Sequence, residues 1–247
     1  MKVSARHDGA TSGALNMERD LAMINDVRSG VVDISFRTYL WQPWCVSLGH
    51  NQPLTNIDQT RCSELGYDIV RRPTGGRAVL HANELTYCIV LAAGPTLGPK
   101  DVYTQVHEFL HEKLSLLVFA LNLSESTNDL HSHYSAAGPV GQSCFTSHAK
   151  SEIMHGTLKV VGSAQRVIDG LVLQHGSILC GTGHQRIADC LIASHEERER
   201  LLLETSKSST TLSDIAGRPI SPDVVADVIH DGVETALRRR FIRAPFS

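Results

Sequence analysis

The sequence lacks the features that mark a membrane, secreted or nucleic-acid-binding protein. No apolar run approaches the roughly 18 residues that a membrane-spanning helix requires. The first residues, MKVSARHDGATSG, contain no apolar segment typical of a signal peptide. The net charge of −3 gives no general attraction to nucleic acid. These absences predict a soluble cytoplasmic protein with no membrane partner and no nucleic-acid partner.

Paired cysteines are also missing, because the six cysteines are scattered and form no CxxC motif. This pattern is typical of reduced thiols in the cytoplasm rather than of a disulfide framework. Cys144 differs from the others because it lies in a polar stretch, GQSCFTSHAKSE. A reactive thiol needs partial exposure and a positive environment that lowers its pKa from about 8.5. The local sequence therefore leaves two interpretations open, a nucleophile or an incidental loop cysteine.

Apolar periodicity predicts an α+β fold with a small helical C-terminal portion. The predicted elements are a helix over 16–27, strands over 32–40 and 41–48, a helix over 58–65, strands over 67–70 and 85–91, a helix over 101–121, strands over 158–168 and 171–179, and helices over 184–193, 195–205 and 222–240. Residues 122–151 show no periodicity and predict a long loop. We expect a catalytic core over 1–182 and a helical portion over 183–247 that packs on it.

The segment Arg71–Tyr87, RRPTGGRAVLHANELTY, combines arginines with a Gly-Gly pair. Its glycines predict a tight corner that joins the strand over 67–70 to the strand over 85–91. Arginines beside such a corner supply forked donors for a carboxylate, phosphate or carbonyl oxygen. A Gly-rich turn with solvated arginines is the alternative interpretation.

The sequence His107-Glu108-Phe109-Leu110-His111 matches the HExxH pattern of zinc enzymes. The apolar face of the predicted helix includes Val106 and Leu110, and we expect His107 and His111 to lie on the exposed side. A catalytic zinc also needs a third protein ligand, and no such pattern follows. We therefore predict no metal site, a nearly silent replacement of His107, and Asp101 as the N-cap of this helix.

Lys159 begins the strand-like run KVVGSAQ, in which small residues follow the lysine. Such a lysine is either a solvated strand end or a cation that points into a cleft. Asp169-Gly170 predicts a hairpin turn that places Gly162–Gln165 opposite Gln174–Ser177. Two patches of small and polar residues would then face each other, as the wall of a pocket requires.

RRPTGGRAVLHANELTY, KVVGSAQ and QHGSIL, in this order, resemble the lipoate/biotin protein ligase superfamily. Within it the chain is similar to the cysteine-dependent octanoyltransferases, which charge lipoyl domains during lipoic acid assembly. The resemblance extends from LNMERDLAM through WCVSLGHNQ to about Cys180, and it implies a mixed, mostly antiparallel sheet flanked by helices. CFTSHAKSE departs from the more acidic and aromatic run that we expect after the cysteine.

The resemblance also implies roles for individual residues. Cys144 would carry the octanoyl group as a thioester, and Lys159 would lie at the acyl carbonyl. The implied substrate-binding residues are Arg72, Thr74, Gly75, Gly76, Arg77, His81, Gly162, Ser163, Ala164, Gln165, His175 and Ser177. No metal and no other cofactor is implied.

The implied donor is octanoyl-acyl carrier protein. The implied acceptor is the lysine of a lipoyl domain, as in the glycine-cleavage H protein or dehydrogenase E2 subunits, and we expect a monomer. An ATP-dependent lipoate–protein ligase and a lipoyl amidotransferase are alternatives on the same scaffold. Arg77 and the run Glu84–Tyr87 favour the transferase, because the ligases are expected to have a third glycine and a Gly-Asn pair there.

Overall fold

A computed structural model describes residues 1–94, 97–124 and 151–242 of the chain. Its strands are β1 (Val3–Thr11), β2 (Ile34–Trp41), β3 (Cys45–Leu48), β4 (Asp68–Arg71), β5 (Val79–His81), β6 (Glu84–Ala92), β7 (Leu121–Leu123), β8 (Ile153–His155), β9 (Leu158–Lys159), β10 (Val161–Ile168) and β11 (Leu171–Leu179). Its α-helices are α1 (Gly13–Arg28), α2 (Gln59–Glu64), α3 (Pro99–Leu114), α4 (His195–Ser208), α5 (Leu212–Ala216), α6 (Pro222–His230) and α7 (Val233–Phe241), with 3-10 helices over Leu54–Asn56 and Thr182–Cys190. Among the described residues, none of the helices has the length and apolarity needed to cross a membrane.

The main sheet has five strands in the order β1-β2-β6-β11-β10. Only the β1–β2 pair is parallel, and the other neighbours are antiparallel. Two further sheets have three strands each, in the orders β4-β3-β5 and β7-β8-β9. This mixed, mostly antiparallel arrangement flanked by helices confirms the predicted α+β class.

The core has two layers because successive side chains of the central strand β6 point to opposite faces of the sheet. Tyr87, Ile89 and Leu91 pack with α3 and the C-terminal helices α6 and α7 on one face. Cys88 and Val90 pack with α1 on the other face. Helices α6 and α7 therefore share a core with the main sheet, whereas the 3-10 helix over Thr182–Cys190 and helix α4 pack against the sheet β4-β3-β5. The division of the chain at residue 182 stays a prediction.

The hairpin β10–β11 has the predicted register, with Gly162 opposite Ser177 and Gln165 opposite Gln174. Asp169 and Gly170 both have positive φ, 50° and 79°. Positive φ at both central residues is typical of a type I′ turn, whose twist matches that of the paired strands. The turn chemistry thus determines which residues face each other on this wall.

The predicted connection through the Gly-Gly corner is wrong. The corner joins β4 to β5, and these two strands lie on opposite sides of β3 rather than next to β6. A Cβ atom on Gly49 would lie 1.9 Å from the carbonyl oxygen of Gly76, which itself has a φ of 96°. The glycines at 49 and 76 therefore allow two backbone segments of this protein to approach each other closely.

Two helix predictions also need correction. Helix α3 ends at Leu114 rather than at residue 121, and its N-cap is Gly98. Asp101 lies in the first turn, where its carboxylate accepts the Gly98 N–H at 2.9 Å. The predicted helix over 222–240 is two helices, because Gly232 adopts a φ of 65° between α6 and α7.

Candidate active site

One cavity lies between the β10–β11 hairpin, β2, β5 and α1, and its space measures about 460 Å³ including the open mouth. The predicted site residues that line it are Arg72, His81, Gly162, Ser163, Ala164, His175 and Ser177. Gly176, within the predicted wall segment Gln174–Ser177, lines it too. The lining residues that were not predicted are Met17, Tyr39, Trp41, Ser47, Val79 and Thr86. Its lining combines apolar and aromatic side chains with a few polar groups, as is typical of sites for small ligands.

The buried side chain of Arg72 is hydrogen-bonded to the backbone of the corner. Its guanidinium donates to the carbonyl oxygens of Gly75 at 2.9 Å, Arg77 at 2.6 Å and Ser47 at 2.9 Å. Arg71 likewise donates to the carbonyl oxygens of residues 49, 50 and 52. The interpretation of both arginines as solvated is therefore wrong for Arg72, which connects the corner to β3.

Four other corner residues, Thr74, Gly75, Gly76 and Arg77, do not line this cavity in the described part of the chain. Gln165 does not line it either, and its amide donates to the carbonyl of Pro99 and to Gln174. The described structure thus places these predicted residues beside or behind the wall.

His81 is held between Ser47 and Glu84. Its Nδ1 lies 2.8 Å from Glu84 Oε1, and its Nε2 lies 2.7 Å from Ser47 Oγ. A carboxylate can only accept, so Nδ1 carries the proton and donates it. The Ser47 hydroxyl also accepts from Arg72 at 3.1 Å. Contacts at both ring nitrogens therefore hold His81 in one orientation on the cavity wall.

Trp41 covers this histidine. The indole ring stacks on the His81 ring with centroids 4.1 Å apart and an interplanar angle of 13°. The indole N–H donates to Thr86 at 2.8 Å, and the Thr86 hydroxyl donates to the same Glu84 oxygen at 2.7 Å. The wall at this point combines an apolar surface with hydrogen bonds that converge on one oxygen of Glu84.

A second network holds His175. Its Nδ1 donates to Asp20 at 3.0 Å, and its Nε2 accepts from the Thr74 hydroxyl at 2.6 Å. Burial lowers the pKa of His175, so the neutral form is favoured. The network connects helix α1, strand β11 and the corner, and it gives Thr74 a supporting contact behind the wall.

Asp20, His175 and Cys88 lie close enough together to resemble a set of metal ligands. The carboxylate of Asp20 is already occupied, because it accepts from Arg37 at 2.8 Å and from the Tyr39 hydroxyl at 3.0 Å. Arg37 supplies a positive charge at the place where a metal ion would supply one. The cluster is thus better described as a buried ion-pair network than as a cation site.

Lys159 is buried rather than solvated. Its Nζ lies 2.9 Å from Glu152 Oε1, and both side chains have little exposed surface. Lys159 is the last residue of strand β9 and lies three residues before Gly162, the first wall residue of β10, in the sequence. In the described part of the chain, Lys159 does not itself line the cavity.

The prediction that His107 is exposed is wrong. The ring is fully buried and contacts the Ser151 carbonyl at 2.6 Å and Ser163 Oγ at 2.8 Å. His111, the other histidine of the HExxH pattern, contacts the carbonyl of Leu121 at 3.0 Å. The two imidazoles therefore bind different partners and do not converge on a common ligand.

Cys144, the predicted nucleophile, lies outside the described residues.

Sequence reasoning missed Trp41, Ser47 and Asp20 as site residues, although they lie in WCVSLGHNQ and LNMERDLAM, which carry the resemblance. A polar residue within an apolar strand, as at Ser47, was the available signal. A buried polar side chain requires a hydrogen-bond partner, and the partner of Ser47 is His81 on the cavity wall.

Comparison with known proteins identifies the family. Residues 12–234 match the model of the lipoyl protein ligase A/B catalytic domain. The octanoyltransferase LipM of Clostridioides difficile is 33% identical over 242 residues, which cover 96% of this chain and 87% of that protein. The octanoyltransferase LipM of Exiguobacterium sibiricum is 37% identical over 238 residues, which cover 92% and 84%.

Solved structures with the same fold include lipoate-protein ligase A bound with ATP, with a TM-score of 0.71, 21% identity, and coverage of 96% of this chain and 86% of that one. Protein Ta0514 of T. acidophilum, a lipoate protein ligase with bound lipoic acid, has a TM-score of 0.68, 19% identity, and coverage of 96% and 87%. The resemblance predicted from the three motifs is confirmed, and the chain belongs to the lipoyl protein ligase A/B catalytic domain family.

Proposed function

We propose that this protein moves an octanoyl group from acyl carrier protein to the lysine of a lipoyl domain, through a thioester on Cys144. The protein is an octanoyltransferase, in agreement with relatives of that name that are 33% and 37% identical to it over most of its length. The thioester route and the choice of donor and acceptor are the parts that need a test.

In the first step the Cys144 thiolate attacks the carbonyl carbon of the donor thioester. A C–S bond to Cys144 forms, the C–S bond to the donor breaks, and the donor thiol leaves with a proton. The two thioesters have similar energies, so this step is nearly balanced. In the second step the acceptor amine attacks, a C–N bond forms, the amine loses a proton, and Cys144 is released as a thiol.

The observation that carries the proposal is Lys159, a buried cation that is ion-paired to Glu152 and precedes the wall residue Gly162 by three residues in the sequence. A preorganised ammonium stabilises negative charge on the carbonyl oxygen in both steps, and it favours the thiolate of a nearby cysteine. Lys159 is therefore assigned to the reacting carbonyl, as the family resemblance implies.

The cavity is assigned to the acyl chain. Apolar surface comes from Met17, Tyr39, Trp41 and Val79. The polar lining residues Arg72, His81 and His175 are held by hydrogen bonds to other parts of the protein. Burial of six methylenes contributes roughly 5 kcal/mol, at about 0.8 kcal/mol for each CH₂. This contribution is large enough to select a medium-length chain over a short one.

Three of the described cysteines are poor candidates for the nucleophile. Cys45, Cys88 and Cys180 are buried free thiols, and burial raises the pKa of each. A raised pKa leaves little thiolate at neutral pH. This argument sets aside three of the six cysteines, and the family resemblance assigns the thioester to Cys144. Free thiols also suit a reaction in the cytoplasm.

The acceptor is a lipoyl domain such as the glycine-cleavage H protein or a dehydrogenase E2 subunit, and the protein acts as a monomer. The intact mass of the protein after incubation with octanoyl-acyl carrier protein, without ATP, tests the thioester. We expect an octanoyl adduct that hydroxylamine removes and that Cys144→Ala lacks, whereas Cys88→Ala retains it. A requirement for ATP together with an active Cys144→Ala variant would instead identify a ligase.

A further inference from the structure

His107 is a fully buried side chain to which the proposed reaction gives no role. It lies on the inner side of α3, and it reaches both the segment before Glu152 and the cavity wall. Its Nδ1 lies 2.6 Å from the Ser151 carbonyl oxygen, and its Nε2 lies 2.8 Å from the hydroxyl of Ser163, a wall residue. Its neighbour in the HExxH pattern, His111, has no comparable contact with this wall among the described residues.

The hydrogen bonds around His107 have a single consistent direction. The Ser151 carbonyl can only accept, so Nδ1 carries a proton, and the neutral ring then accepts at Nε2 from Ser163. The Ser163 hydroxyl receives the proton of Tyr87 at 2.7 Å, and the Tyr87 hydroxyl receives an amide proton of Gln174 at 2.8 Å. The chain of bonds thus runs from Gln174 on β11 to the backbone at Ser151.

Ser151 has a strained backbone where His107 binds it. Its φ is 66°, in the left-handed region that residues other than glycine rarely adopt. Its N–H donates to the carbonyl of Ser124 at 2.9 Å, and the contact with His107 holds its carbonyl. Such strain persists only where the surrounding structure determines it, and it is often found beside functional sites.

The residue that follows, Glu152, is the ion-pair partner of Lys159. Its backbone is held by Ser124, which donates to its carbonyl at 2.8 Å and accepts its N–H at 2.9 Å. Its side chain then reaches Lys159 Nζ at 2.9 Å. The direction in which the Glu152 side chain extends from the backbone therefore depends on the backbone conformation of Ser151.

We propose that His107 is a positioning residue for Lys159: by holding the Ser151 carbonyl it fixes the backbone from which Glu152 directs the lysine ammonium. Through Ser163 the same ring ties this backbone to the cavity wall. The inference rests on the proposed function, because it is Lys159 that acts on the acyl carbonyl. A lysine side chain has several rotatable bonds, so its ammonium needs a fixed partner to stay at one position.

Two variants of His107 each retain one of its contacts, with Ser151 or with Ser163, and remove the other. An asparagine amide nitrogen takes a position close to that of Nδ1, so His107→Asn keeps a donor for Ser151 and loses the contact with Ser163. A glutamine amide takes a position close to that of Nε2, so His107→Gln does the reverse. His111→Gln changes the other histidine of the same helix and serves as the matched control.

We expect His107→Gln to lower kcat by about 100-fold, the loss associated with a misplacement of about 1 Å, with KM for the donor unchanged. His107→Asn keeps kcat within about tenfold of the unchanged protein, because it retains the bond to Ser151. His111→Gln retains full activity. In the Lys159→Ala background, His107→Gln causes no further loss, because the group that it positions is absent.

Equal losses of kcat in the Asn and Gln variants, in proportion to their loss of thermal stability, would overturn the inference, as would an unchanged kcat in both. A full further loss in the Lys159→Ala background would also overturn it. These results are distinguishable from a failure of the proposed function, which would appear as full activity in Lys159→Ala itself.

Discussion

Lys159 Nζ and Glu152 Oε1 lie 2.9 Å apart in a pair whose side chains are almost completely buried. Removing two charges from water is costly, and their attraction compensates only when the geometry is good. Such a pair contributes little to stability compared with an apolar pair of the same volume. The role proposed for Lys159 at the reacting carbonyl gives the pair a functional explanation instead.

Replacing the two residues of this pair should affect the stability and the activity of the protein differently. Lys159→Met leaves the Glu152 carboxylate buried without its cation, and we expect it to lower the free energy of unfolding by roughly 3–5 kcal/mol. Adding Glu152→Gln should restore much of this stability and none of the activity. Urea denaturation and the octanoyl transfer rate measure the two effects. Recovery of activity in the double variant would contradict the role of Lys159.

The stability of the protein should fall as the pH is lowered from about 6.5 to about 4. Burial lowers the pKa of His107 to about 4, so the unfolded chain binds a proton in this window that the folded protein rejects. The difference from the usual value of about 6.5 amounts to about 3 kcal/mol, present above pH 6.5 and lost as the pH falls through 4.

Urea denaturation at several pH values measures this loss. His107→Asn should flatten the dependence between pH 6.5 and 4, whereas His111→Asn should leave it as steep as in the unchanged protein. Equal slopes in the unchanged protein and in His107→Asn would contradict the assignment. His175, whose pKa burial also lowers, should contribute in the same direction.

Gly49 and Gly75 should respond differently to an added methyl group. A Cβ on Gly49 would lie 1.9 Å from the Gly76 carbonyl oxygen, so Gly49→Ala must displace the corner, whereas a Cβ on Gly75 has open space. We expect Gly49→Ala to lower the free energy of unfolding by about 1–3 kcal/mol, and Gly75→Ala to change it little. Equal stabilities of the two variants would show that the corner yields without cost.

The buried Glu84 carboxylate should need the hydrogen bond that it makes with His81. His81→Phe keeps a ring beside Trp41 but removes the donor at 2.8 Å from the buried carboxylate. We expect a loss of about 1–3 kcal/mol in the free energy of unfolding, the cost of a buried polar group without its partner. Adding Glu84→Gln should recover part of it, because a neutral amide is less costly to bury. No loss in His81→Phe would mean that Glu84 finds another donor.

The sequence predicted best what local chemistry determines. The Asp169-Gly170 turn sets the hairpin register, and the predicted facing of Gly162–Gln165 and Gln174–Ser177 is confirmed. Helix α6 begins at Pro222, the first residue of the predicted helix over 222–240. The family and its octanoyltransferase activity were also predictable, because the motifs occur in a fixed order along the chain.

Non-local packing decided what the sequence did not predict. Strand β5 has only three residues and is recognisable mainly from its pairing with β3. The sequence alone therefore connects the corner to the longer strand over 85–91, which is β6, instead of to β5. His107 was placed on a polar helix face, yet Ser151 and Ser163 meet it there from segments more than 40 residues away. Helical periodicity identifies apolar faces, and it does not identify a buried histidine with polar partners.

In the proposed reaction the octanoyl group passes through Cys144 to an acceptor lysine. The direct measurement starts from the protein already carrying the octanoyl adduct, freed of donor and mixed with a lipoyl domain in the absence of ATP. Intact masses of both proteins are then followed over time. We predict that the adduct leaves this protein and appears on the lipoyl-domain lysine, and that Lys159→Ala slows the transfer. An adduct that stays on the protein while transfer proceeds from fresh donor would contradict the account.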